Sequence, residues 1–230
     1  MSGAIPESPV FHIYTREESL ADLLVHALGL SLAVVALPWM LWTGFSHFEA
    51  IEVRLSLVLY VAGAASMLGC SATYNWLREP RWKDRLRRLD RAVIFLMIAG
   101  TYSPLAMAKL EQPLGTGLMV YEWGLASLGA TVALAFPRRG ERLLIVLYLL
   151  MGWAVLAVLG PMTRAHGASM VALVLVGSLL YTGGVVVHAS TRLKYHNALW
   201  HGCVLVAASC HYVAILLSVA LPGVQIAIYP

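Results

Sequence analysis

Charge is what this sequence has least of. Only 12% of its 230 residues are Asp, Glu, Lys or Arg, while 60% are hydrophobic. A chain of that make-up cannot hide its apolar surface inside one soluble core. Cysteine is scarce as well. Cys70, Cys203 and Cys210 all fall in apolar stretches and none forms a CxxC pair, which favours packing thiols over redox or metal use. There is no aromatic-basic stripe and no soluble domain, so the net charge of +4 is no sign of a nucleic-acid partner. The first 15 residues lack a cationic region leading into an apolar run and a cleavage site. No removable signal peptide is expected there, and the first span itself would be the targeting element.

What the chain does have is apolar runs of roughly 20 residues, each long enough to cross about 30 Å of hydrocarbon as a helix. They predict an all-α, seven-transmembrane-helix bundle with spans near 20–43, 54–77, 90–109, 116–136, 143–160, 168–188 and 197–220. The predicted organisation is a short N-terminus (1–19), one membrane domain (20–220) and a short tail (221–230). Pro80, the turn from Pro137 to Arg142, Pro161 and Gly167 mark several breaks. Basic residues alternate with the connectors. Arg16, Arg78, Arg81, Lys83, Arg85, Arg87, Arg88, Arg91, Arg138, Arg139, Arg142, Arg192 and Lys194 fall on one side, against Arg54, Lys109 and Arg164 on the other. Thirteen against three predicts a cytoplasmic N-terminus and an extracytoplasmic C-terminus. Trp39, Trp42, Trp76 and Trp200 suit interfacial anchoring, and Ala62, Ala65, Ser66 and Gly69 suit close helix approach.

Polar side chains inside spans are costly, about 2.5–3.5 kcal/mol for a central charge on insertion scales, so each asks for a partner or a role. Taking the spans in their alternating directions, Asp22 and His26 (first span), Ser71 and Asn75 (second), Asp90 (third), and Asn197 and His201 (seventh) share the cytoplasmic leaflet. Asn197 and His201, four residues apart, lie on one helix face. Such a layer is either a hydrogen-bonded plug that fixes helix register or an active or metal-binding site. Glu122 and His211 fall outside it.

Several stretches together resemble the bacterial hemolysin III proteins, of the progestin and adipoQ receptor superfamily that includes the adiponectin receptors. They are Glu18 with Ala21-Asp22-Leu-Leu-Val-His26, Ser71-Ala-Thr-Tyr-Asn75, Leu89-Asp90-Arg-Ala-Val-Ile-Phe95, Ile98-Ala-Gly-Thr-Tyr-Ser-Pro104, Leu149-Leu-Met-Gly-Trp153 and Tyr195-His-Asn-Ala-Leu-Trp-His201. The resemblance implies a seven-helix bundle and a cytoplasmic-side zinc site. Its ligands would be a histidine four residues after the second-span serine and two histidines four apart on the seventh span. The layout, with an aspartate on the third span, is shared with membrane ceramidases, where zinc-bound water attacks a lipid amide. Ser71, Asp90 and His201 match it. Asn75 and Asn197 stand where two ligands would be, and a carboxamide oxygen is a poor zinc donor.

Three functions compete on these residues. One is a regulatory or sensor-like protein with a polar cavity, a degenerate zinc site and a lipid-like ligand. Another is a zinc-dependent lipid amidase or hydrolase with Asp90 on water and Ser71 on the oxyanion. The last is an ion- or proton-conducting or pore-forming protein, with Asp22, His26, Asp90 and His201 as a path.

Overall fold

The computed structural model describes residues 14–77, 79–136 and 140–220. Most of the predicted N-terminal segment, Arg78, the Pro137 to Arg139 part of the predicted turn and the tail 221–230 lie outside the described residues. Within them the chain is helical, with no strand. The helices are α1 (Arg16–His47), α2 (Ile51–Trp76), α3 (Pro80–Lys109), α4 (Leu114–Ala135), α5 (Glu141–Gly152), α6 (Leu159–His166), α7 (Ala168–Ala189) and α8 (His196–Ile215). Among the described residues, six helices are long and apolar enough to cross a membrane. A seventh crossing results if α5 and α6, bent by 59° at their break, count as one span. The chain is a multi-pass membrane protein.

Two of the helix starts are explained locally. Thr15 caps α1 in a capping box: its hydroxyl accepts from the Glu18 amide while the Glu18 carboxylate accepts from the Thr15 amide at 2.8 Å. Pro80 opens α3, where its missing N–H costs nothing. That start is ten residues earlier than the sequence predicts, because a charged stretch from Arg81 to Asp90 continues the helix beyond its apolar part. Asp90 is therefore about 15 Å inside α3, not in its first turn.

Helix α3 is central and packs on both α2 and α4, while α8 packs on α1 and α7. The close approach of α2 to α3 runs through glycines. A methyl group on Gly63 would stand 2.7 Å from the Leu96 carbonyl oxygen, and one on Gly100 would stand 2.9 Å from that of Leu59. Three of the four small residues expected to allow close approach do not serve this contact. Ala62 and Ala65 are exposed, and Gly69 has open space beside it, because the packed face lies one residue further round the helix.

The break between α5 and α6 leaves backbone groups without helical partners, which is tolerated at membrane depth only where other groups satisfy them. Tyr102 does so twice: its hydroxyl donates to the Gly152 carbonyl at 3.0 Å and accepts from the Val155 amide at 3.1 Å. Ser178 donates to the same carbonyl from α7 at 3.1 Å. Two of the stretches singled out in the sequence, around Tyr102 and around Gly152, thus meet at one joint.

Candidate functional site

The basic ends of α1, α2, α3, α5, α7 and α8 surround a cavity of about 1790 Å³. Arg16, Lys83 and Arg87 stand at its mouth, and its inner wall reaches Tyr102, Ser178 and His211. Asp22, Asn75, Asp90, Asn197 and His201 line it together, so most of the predicted layer does converge on one space. His211, set apart in the sequence, borders the same space, with Nε2 on the Val174 carbonyl at 3.1 Å. Glu122 stays outside it. Trp39, Trp42 and Trp76 are exposed at helix ends as expected, but Trp200 packs its ring on Gly184 and borders the cavity.

Asp22 is the hub. Its carboxylate Oδ1 accepts from Nδ1 of His201 at 2.5 Å, and its backbone carbonyl accepts from Nδ1 of His26 at 2.9 Å. A carbonyl can only accept, so His26 holds its proton on Nδ1 and presents a lone pair at Nε2. The Ser71 hydroxyl donates to that Nε2 at 3.2 Å. Asp90 lines the cavity, whereas Ser71 and His26 are not part of its wall. The imidazoles of His26 and His201 meet edge to face with centroids 4.3 Å apart. Asp22 and His26 are both buried.

Asn75 and Asn197 are occupied differently. Nδ2 of Asn75 donates to the Ser71 carbonyl at 2.9 Å, and Nδ2 of Asn197 reaches Oδ1 of Asn75 at 3.5 Å. Zinc at the positions implied by resemblance does not fit, because the two amides are turned on each other and offer no nitrogen donor. The sequence left His201 as the one good donor of that set. The geometry sets two others beside it: Asp22, His26 and His201 each bring a ligand atom within 4.8 Å of the rest. The i, i+4 spacing of Asp22 and His26 was the sequence signal for this, the same spacing that drew attention to Asn197 and His201.

Two features hold α1 against α8 in this register. Glu18, whose Oε2 serves the α1 capping box, accepts at Oε1 from the Tyr195 amide at 3.2 Å. Tyr195 takes a left-handed conformation (φ 64°) to turn the chain into α8. Beyond it, His196 is buried, and its Nε2 faces the Tyr14 hydroxyl at 3.4 Å. Burial, joined by the charges of Tyr74, Asp22 and Glu18, pushes the Tyr14 phenol above its ordinary range, so it remains a hydroxyl.

A helical bundle crossing the membrane six or seven times, with carboxylates, imidazoles and a hydroxyl gathered at its basic end, defines the class of protein. The chain belongs to the haemolysin-III-related family, whose model matches residues 14–212. It is similar to the hemolysin-3 homolog of Bacillus subtilis (strain 168), 26% identical over 204 residues that cover 89% of this chain and 95% of the relative. Similarity to hemolysin-3 of Bacillus cereus is 28% over 203 residues, covering 87% and 91%. The human monocyte to macrophage differentiation factor is 30% identical over 127 residues, 55% of this chain and 52% of that protein. No solved structure matches the chain.

Proposed function

We propose that this hemolysin III-like protein hydrolyses an acyl bond, amide or ester, of a lipid-like molecule that enters the cavity from the cytoplasmic leaflet of a bacterial inner membrane. The observation that carries the reading is the meeting of acid, base and hydroxyl at one place: Asp22, Asp90 and His201 line the cavity, while His26, edge to face with His201, carries the Ser71 hydroxyl on its Nε2. Support for the orientation comes from the basic residues gathered at the mouth. Support for an elongated apolar substrate comes from the size of the cavity and from wall residues such as Met67, Met97, Leu144 and Leu149.

In this reading Asp90 takes a proton from water as the water oxygen bonds to the carbonyl carbon, and the Ser71 hydroxyl hydrogen-bonds the oxygen on which charge develops. The C–N or C–O bond then breaks and the proton passes to the leaving nitrogen or oxygen. Water and the acyl lipid are consumed, and a fatty acid and an amine or alcohol result. A bound zinc-type cation would add polarisation of the carbonyl and acidification of water.

The test is turnover of fluorescent lipid amides and esters by the purified protein in detergent or nanodiscs. Asp90→Asn is expected to lower the rate on the order of 100-fold or more, and Ser71→Ala on the order of 100-fold. Absence of turnover across both substrate classes would sink the reading. A second reading, binding of a lipid-like ligand in a regulatory role without turnover, is favoured by the Asn75 and Asn197 pair. It expects saturable lipid binding that survives Asp90→Asn.

A further inference from the structure

Asp22, His26 and His201 converge at the basic end, one ligand atom of each lying within 4.8 Å of the others. Nε2 of His26 is a lone pair met by the Ser71 hydroxyl at 3.2 Å. Nδ1 of His201 is spent on Asp22 Oδ1, which leaves the Nε2 lone pair of that ring. The second Asp22 oxygen stands 3.6 Å from Nδ1 of His26, too far for a hydrogen bond. Asp22 and His26 are buried and His201 is largely so, and lone pairs converging in this way suit a cation.

We propose that Asp22 and His26 of α1 and His201 of α8 form a divalent transition-metal site, in place of one built on residues 75 and 197. The donor set selects the cation class. Two imidazoles and one carboxylate suit first-row ions such as zinc, whereas Mg²⁺ and Ca²⁺ prefer all-oxygen shells. Three protein ligands on a tetrahedral ion leave one position open, the arrangement of a catalytic zinc site. An entering cation replaces the short Asp22 to His201 hydrogen bond, with the ring proton of His201 moving from Nδ1 to Nε2 so that Nδ1 can ligate. The His26 and His201 rings are already held by Asp22 from two directions, so little ordering remains. The site supplies the cofactor for the hydrolase reading and is supported independently of it, by the donor geometry.

The experiment uses the full chain, purified with chelator, freed of chelator and titrated with Zn²⁺ or with Co²⁺ as a coloured probe. One equivalent is expected to bind, and Co²⁺ is expected to give the intense visible bands of four-coordination. Asp22→Asn, His26→Gln and His201→Gln should each lower affinity by more than about 100-fold, beyond what losing an outer hydrogen-bond partner costs. Asn75→Ala and Asn197→Ala should leave it unchanged. X-ray absorption at the zinc edge of the unsubstituted protein needs no variant to fold, and should show two imidazoles.

Failure of the stripped protein to take up a stoichiometric ion overturns the proposal. So does a spectrum with one imidazole, or binding that survives His26→Gln and is lost in Asn197→Ala. One bound cation without lipid turnover would remove the hydrolase reading and leave the site. Turnover indifferent to chelation would do the reverse.

Discussion

His201 Nδ1 and Asp22 Oδ1 lie 2.5 Å apart, joining residues separated by 179 positions and closing the ring of crossings between α8 and α1. Both side chains are largely shielded, so the bond works in a low effective dielectric and each partner is left uncompensated when the other is removed. Asp22→Asn and His201→Gln are therefore expected to be non-additive. A double-mutant cycle on unfolding in detergent should give a coupling on the order of 2 kcal/mol. A coupling near zero would mean that the two groups are not paired in the folded protein.

Glu18 is expected to matter as much as its distance from the cavity floor would deny. Its carboxylate serves the Thr15 amide and the Tyr195 amide together, so it sets the relative height of the helices that carry Asp22 and His201. Glu18→Ala removes a cap worth about 1 kcal/mol and an interhelical hydrogen bond of similar size. Thermal unfolding should show a loss of about 2 kcal/mol, with Glu18→Gln in between. If Glu18→Ala unfolds like the unsubstituted protein, the bridge carries no stability.

Much of the architecture was readable beforehand, for physical reasons that also set the limit. Near-continuous apolar runs leave helices as the only structure, and alternating directions of the spans place Asp22, His26, Ser71, Asn75, Asp90, Asn197 and His201 in one layer. Depth in a membrane follows from counting residues. Rotation about each helix axis does not, and pairing depends on rotation. Hence Ala62 and Ala65 were expected at a contact that Gly63 makes. Hence also Asp22 and His26 counted only as cavity residues, although they stand beside His201 as donors. The broken fifth span was hidden because Leu149 to Trp153 is apolar throughout. The Tyr102 hydroxyl, arriving from α3, and Ser178, from α7, show where its backbone is satisfied.

That joint offers a third test. Tyr102→Phe keeps the ring and deletes the one oxygen that serves both the Gly152 carbonyl and the Val155 amide. The carbonyl retains Ser178, but the buried amide loses the partner described for it, so the expected cost is about 1–3 kcal/mol. Hydrogen exchange at Val155 should rise in the variant while exchange in α2 stays unchanged. Equal protection at Val155 in both proteins would assign the joint to packing alone.

The Asn75 and Asn197 pair separates a polar plug from a metal site. Their amide contact is at the outer limit of hydrogen bonding, 3.5 Å, so Asn197→Ala should cost no more than about 1 kcal/mol. Introducing nitrogen donors is the informative change. Asn75→His with Asn197→His, combined with Asp22→Asn and His26→Gln, restores three imidazoles at the positions the resemblance implies. That variant should regain zinc while the Asp22→Asn, His26→Gln pair alone has none. If the pair alone still binds zinc, the donors at residues 22 and 26 are dispensable.

Glu122 decides how far the polar path extends. It is 0% exposed on α4, and among the described residues neither carboxylate oxygen has a hydrogen-bond partner. A conducting protein would need this group to join the acidic and histidine side chains at the basic end. Yet Glu122 does not border the cavity that holds Asp22, Asp90 and His201. Glu122→Gln, which keeps the shape, is expected to leave stability within about 1 kcal/mol, whereas Glu122→Ala opens a void in the α3 and α4 packing and costs about 2 kcal/mol or more. Proton flux into liposomes holding the protein should be the same for Glu122→Gln and the unsubstituted chain. A flux present in the latter and abolished by both Glu122→Gln and Asp90→Asn would instead make the two carboxyl groups successive stations, and would favour conduction over hydrolysis.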